Sequence, residues 1–149
     1  MKLSLKILLL ALLVILCAAF IFSNSFKDSA ASHADSNGIV KIVEQIAEKI
    51  IPNNEVDWNF TVRKGAHLFE FFLLGIGAAF FVFCVGKHRY KILTGWLLFV
   101  LLVASCDEFI QRFTGRSSRI SDVLIDLSGA CIGFVTVIVI RFLVRRKRS

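Results

Sequence analysis

The chain has 149 residues, of which 56% are hydrophobic, and a mean hydropathy of +0.74. That is too apolar for a bundle dissolved in water, whose helices each need a polar face. The net charge of +7 does not indicate nucleic acid as a partner, because the basic residues are divided among segments separated by apolar stretches and form no recognition module.

The first apolar stretch, 5–22, follows Lys2 and Lys6. Together with Ser23-Asn24-Ser25 it also fits a cleavable secretory signal, but the run exceeds the about 7 to 15 residues of a signal core, which favours a retained helix. Three further stretches follow at 65–85, 92–106 and 123–144. A hydrocarbon core of about 30 Å takes about 17 to 25 helical residues, so each can span it, the third with help from its flanks. The expected fold is therefore all-α, a four-transmembrane-helix bundle forming a single membrane domain over 1–149. Cys17, Cys84, Cys106 and Cys131 lie in these apolar stretches without a C-x-x-C pair or metal-ligand spacing, and read as small buried hydrophobes.

The first loop, 23–64, carries its own pattern. Ile39, Ile42, Val43, Ile46 and Ile50 recur at steps of three and four, Lys41, Glu44, Gln45, Glu48 and Lys49 take the other face, and Pro52 ends the run. This is an amphipathic helix that either lies in the headgroup layer or caps the bundle. Threading the spans puts Lys2, Lys6, Lys87, Arg89, Lys91, Arg141, Arg145, Arg146, Lys147 and Arg148 on one side with no acid among them. The other side receives eight basic residues and all eleven acidic ones. Since Lys and Arg near span ends are retained in the cytoplasm, both termini are expected there and the 23–64 loop outside.

Ionisable residues collect at the outer ends of the last three spans. The second span opens with Arg63-Lys64-Gly65-Ala66-His67-Leu68-Phe69-Glu70, and steps of four and three place Arg63, His67 and Glu70 on one face. The third ends in Asp107-Glu108-Phe109-Ile110-Gln111-Arg112, where Asp107 shares a face with Gln111 and Glu108 with Arg112. In the fourth, Asp122, Asp126, Gly129 and Gly133 follow one stripe, and the Gly-x-x-x-Gly spacing admits close approach of a neighbour, with Gly75 and Gly77 as counterparts. Helix direction brings all these acids and His67 to one level, ringed by Arg63, Arg112, Arg116 and Arg119. One reading is structural, charges pairing to pin the helices; the other is a site, since each central charge costs about 2.5 to 3.5 kcal/mol to insert. Guanidinium groups suit phosphate or carboxylate, and a histidine beside carboxylates can move protons. His67 with Glu70, Asp107 or Glu108 also has the donor types for a divalent metal, but without H-E-x-x-H the spacing is weak, so no metal and no cofactor is assigned. Without G-x-S-x-G or a cysteine nucleophile with its base, acyl transfer and proteolysis are set aside. Arg141 is read as snorkelling to the cytoplasmic face.

At these residues the sequence resembles the VanZ family of bacterial membrane proteins, named for a protein encoded with glycopeptide-resistance genes and associated with low-level teicoplanin resistance. The family pattern is an Arg-Lys-x-x-His-x-x-Glu helix start, a later Asp-Glu-x-x-Gln, a Gly-Arg turn and an Asp-x-x-x-Asn/Asp-x-x-Gly helix. Here it reads Arg63-Lys64…His67…Glu70, Asp107-Glu108…Gln111, Gly115-Arg116 and Asp122…Asp126…Gly129, with Phe22-Ser23 matching a Phe-Ser motif after the first span. The match is densest over residues 60–134. Phe71 stands where tyrosine is common and Thr114 where proline often precedes Gly-Arg. The resemblance implies a multi-pass protein of the bacterial cell membrane with a part in lipoglycopeptide tolerance. The expected function is binding of an anionic lipid-linked wall precursor or glycopeptide, with Arg63, Lys64, Gln111, Arg112, Arg116, Asp122 and Asp126 as the ligand-binding set. The alternative is an enzyme that hydrolyses or transfers a phosphate-linked headgroup, with His67, Glu70, Asp107 and Glu108 as its catalytic groups. A transporter is disfavoured, because the cytoplasmic halves of the spans offer almost no polar relay.

Overall fold

A computed structural model describes residues 3–27, 29–50, 56–85, 89–114 and 119–147. These form five helices: α1 (Leu3–Ser25), α2 (Ser29–Ile50), α3 (Trp58–Val85), α4 (Arg89–Phe113) and α5 (Ile120–Arg146). The described residues contain no strand. Four of the helices, all but α2, are long and apolar enough to cross a membrane.

The helices run past the apolar stretches that announce them. α3 begins at Trp58, ahead of the Arg63 start expected from the sequence, because Asp57 precedes it as a cap: its Oδ1 accepts from the Phe60 backbone N–H at 3.0 Å. α4 continues through Asp107, Glu108 and Gln111 to Phe113, which gives the third span its missing length. Polar residues near a helix end do not stop a helix when the helix itself satisfies their backbone groups.

α3 lies at the centre, packed against all the others, and its most extensive contact is with α5. Glycines set that approach. A methyl group at Gly75 would collide with the Ala130 backbone, one at Gly129 with the Leu68 carbonyl, and one at Gly133 with the Phe72 carbonyl. In lipid, where burying leucine gains little over leaving it against acyl chains, such backbone-close packing drives helix association. Gly75 is thus a counterpart of the Gly129/Gly133 stripe, as expected; Gly77 is not, since it faces Val14 of α1. Phe71, Leu74, Ala79, Val100, Ala104 and Ala130 fill the shared core. Leu8, Leu12, Ile15, Leu16 and Phe20 of α1 remain exposed, as suits a helix with acyl chains for solvent.

α2 extends well ahead of the predicted pattern and packs against α3, burying Val40. Ile39, Ile42 and Ile46 stay exposed as a separate stripe, so the apolar face of this helix is split between bundle and surroundings. At the opposite end of the bundle Arg141 lies over the Phe83 ring, 4.4 Å from its centre, its guanidinium held against an aromatic face. The four cysteines are free and half-buried rather than fully buried.

Candidate functional site

The ends of four helices meet in one polar layer: the last turn of α1, the first half of α3, the last turns of α4 and the start of α5. Ser25 is fully buried and donates its hydroxyl to Asp107 Oδ1. The other oxygen of that carboxylate accepts from Gln111 Nε2, one turn along α4, at 2.6 Å. Asn24 donates to Glu70 Oε1 at 2.6 Å, tying α1 to α3. Lys64 forms an ion pair with Asp122, tying α3 to α5, with both side chains largely buried. Glu108 Oε2 accepts from the Arg119 backbone N–H at 3.1 Å, so α4 holds the residue before α5.

Inside this ring stand His67, Asp107 and Asp126. A nitrogen of His67 and one carboxylate oxygen from each aspartate lie within 4.8 Å of one another, and all three residues are buried. His67 Nδ1 is 3.6 Å from Asp107 Oδ2. Asp126 is 2% exposed, and its Oδ2 has no hydrogen-bond partner among the described residues. Asp107, Glu108 and Asp122 are buried in the same layer as Asp126, and Lys64 brings an ammonium group to it. Burying carboxylates this closely is costly unless cations or protons compensate them.

The sequence-based site thus divides. His67, Asp107, Glu108, Gln111, Asp122 and Asp126 are buried together, while Lys64, Glu70 and Arg63 are half-buried around them. Arg112 is exposed, and Glu108, which shares its helix face, accepts from the Arg119 backbone N–H. Arg116 lies outside the described residues. The Asp122–Asp126–Gly129–Gly133 stripe is buried along its whole length.

Three contributors escaped sequence reading. Asn24 and Ser25 belong to a triplet that also reads as a cleavage site, and their partners lie far along the chain. Thr114, at the position where the family often has proline, donates to the Ser25 and Gln111 carbonyls at 3.3 and 3.1 Å, closing α1 onto the end of α4. A run of small polar residues ending an apolar span was the available signal. Phe71, at the tyrosine position, is fully buried, and as a phenyl ring it brings no hydroxyl to this layer.

Four helices long and apolar enough to cross a membrane, with a buried acid–histidine layer at one end, fit a multi-pass membrane protein. The VanZ/LLP1 family model matches residues 9–141, most of the chain, and the protein belongs to that family. No curated protein and no solved structure matches it significantly.

Proposed function

We propose that this VanZ-family protein sits in the bacterial cell membrane with both termini cytoplasmic and its polar layer at the outer leaflet. There it binds an anionic lipid-linked wall precursor or a glycopeptide, and through that binding contributes to lipoglycopeptide (teicoplanin) resistance. The observation that carries this reading is the convergence of polar side chains from α1, α3, α4 and α5 on one buried layer beneath basic residues at its rim: Arg112 and Arg119 exposed, Arg63 half-buried. Lys64 and Gln111 reach the same layer, and Asp122 and Asp126 line it. Polar groups at membrane depth are kept where they serve a site. A groove of about 440 Å³ between α1 and α3, walled by Leu16, Phe20, Phe69 and Leu73, includes Glu70, so an acyl or prenyl chain in the bilayer has a path to the polar layer.

The test is titration of the purified protein in lipid with lipid-linked precursor and with teicoplanin. Saturable binding that weakens in Arg112→Ala supports the reading. In cells, His67→Ala and Asp107→Asn at matched membrane abundance lower resistance; an unchanged phenotype overturns the assignment.

A second reading is supported by the 3.6 Å approach of His67 to Asp107, an imidazole beside a carboxylate, groups able to move a proton. It makes the protein an enzyme that hydrolyses or transfers a phosphate-linked headgroup, with Glu70 and Glu108 as further proton-carrying groups. Turnover of the same precursor, abolished in His67→Ala, separates it from binding alone.

A further inference from the structure

We infer that His67, Asp107 and Asp126 form a binding site for a divalent transition-metal ion, Zn²⁺ or Mn²⁺, inside the bundle. Three independent features meet there. The first is distance: one nitrogen and two carboxylate oxygens from three different helices lie within 4.8 Å of one another. Around a tetrahedral ion with bonds of about 2.1 Å, neighbouring ligands stand about 3.4 Å apart. The 3.6 Å between His67 Nδ1 and Asp107 Oδ2 is close to this value, and a carboxylate oxygen of Asp126 falls in the same cluster, within 4.8 Å.

The second is the state of Asp126. The residue is 2% exposed, its Oδ2 lacks a hydrogen-bond partner among the described residues, and one of its carboxylate oxygens lies within 4.8 Å of the other two ligands. A buried carboxylate oxygen left in this condition is expensive, and a cation shared with Asp107 removes the cost for both. Lys64 brings an ammonium group to this layer, but that group is ion-paired with Asp122.

The third is the support around Asp107. Ser25 donates to one of its oxygens and Gln111 to the other, which orients the carboxylate. Hydrogen bonds of this kind hold metal-binding carboxylates in place. The donor set is nitrogen and oxygen without thiolate, which suits Zn²⁺ or Mn²⁺ better than the all-oxygen preference of Ca²⁺ or Mg²⁺. Three protein ligands leave a fourth position, the arrangement of a metal site that accepts water or an anionic oxygen. An acid-lined interior and an anionic ligand are then compatible, but the metal site itself requires no such ligand.

The experiment uses full-length protein in lipid nanodiscs, stripped with chelator, re-equilibrated with Zn²⁺ or Mn²⁺ alone, and analysed for bound metal without precursor or glycopeptide. One equivalent per chain is expected. Asp126→Asn, which keeps the shape of the side chain, should weaken binding by about tenfold or more, and Ser25→Ala by less. Bound Mn²⁺ should show a histidine-nitrogen coupling in pulsed paramagnetic resonance that disappears in His67→Gln, a readout that still decides the matter if Asp126→Asn does not fold. Absence of stoichiometric metal, or metal retained without that nitrogen signature, overturns the proposal. Because no anionic ligand is present, either result leaves precursor binding to be judged separately.

Discussion

Ser25, the last residue of α1, donates its hydroxyl to Asp107 near the end of α4, across 82 positions of sequence and inside a fully buried contact. Together with the Thr114 hydrogen bond to the Ser25 carbonyl, this contact holds the ends of the two helices at one level. Removing the hydroxyl leaves a buried carboxylate oxygen without its donor, so Ser25→Ala is expected to cost about 1–3 kcal/mol. Ser23, whose hydroxyl turns back to its own helix at Phe20, should tolerate the same change within about 0.5 kcal/mol. Thermal unfolding of both variants in one detergent checks the contrast; equal losses would mean that the Asp107 contact is unimportant.

Lys64 and Asp122 provide a second test. Lys64→Met strands the Asp122 carboxylate in a nearly dry position and is expected to destabilise by about 3–5 kcal/mol, whereas Lys64→Met combined with Asp122→Leu should recover most of it. A double-mutant cycle showing simple additivity would rule out a direct partnership.

The glycine contacts are sharper still. Gly133→Val drives a side chain into the Phe72 carbonyl and should separate α3 from α5, at about 1–3 kcal/mol or more. Gly95, with open space around it on α4, should accept alanine with unchanged or slightly higher stability. Size-exclusion profiles and unfolding midpoints of the two variants measure the difference.

Arg112 separates stability from recognition. Since it is exposed, Arg112→Ala should move stability by no more than about 0.5 kcal/mol while weakening binding of an anionic ligand. Unaltered affinity in a well-folded variant would remove Arg112 from the binding set.

Orientation can be read by labelling. In a background with the four native cysteines replaced, Arg112→Cys should react with an impermeant thiol reagent from outside intact cells and Lys147→Cys only after permeabilisation. The reverse pattern would place the polar layer at the cytoplasmic face.

Composition and periodicity alone determined that the chain has four helices long and apolar enough to cross a membrane, that a further amphipathic helix follows the first of them, and that His67, Asp107, Asp122 and Asp126 stand near one level. Those properties follow from span length, from the 3.6-residue turn and from the alternating direction of consecutive helices, all of which are local. Helix ends were less legible: α3 starts at Trp58 through the cap at Asp57, and α4 continues to Phe113 through charged residues that hydropathy treats as a border. Pairing was not legible either. Helical spacing put Arg112 on the face of Glu108 but did not show that the Arg119 backbone donates to that carboxylate; Gly77 shared its neighbourhood with Gly75 but turned toward α1. Only the tertiary structure decided that Asn24, Ser25 and Thr114 belong to the polar layer and that His67, Asp107 and Asp126 converge within 4.8 Å. The reason is physical: depth in the bilayer follows from counting residues along one helix, whereas contact depends on how each helix is rotated about its axis, and that rotation is set by the glycine faces through which α3 and α5 meet.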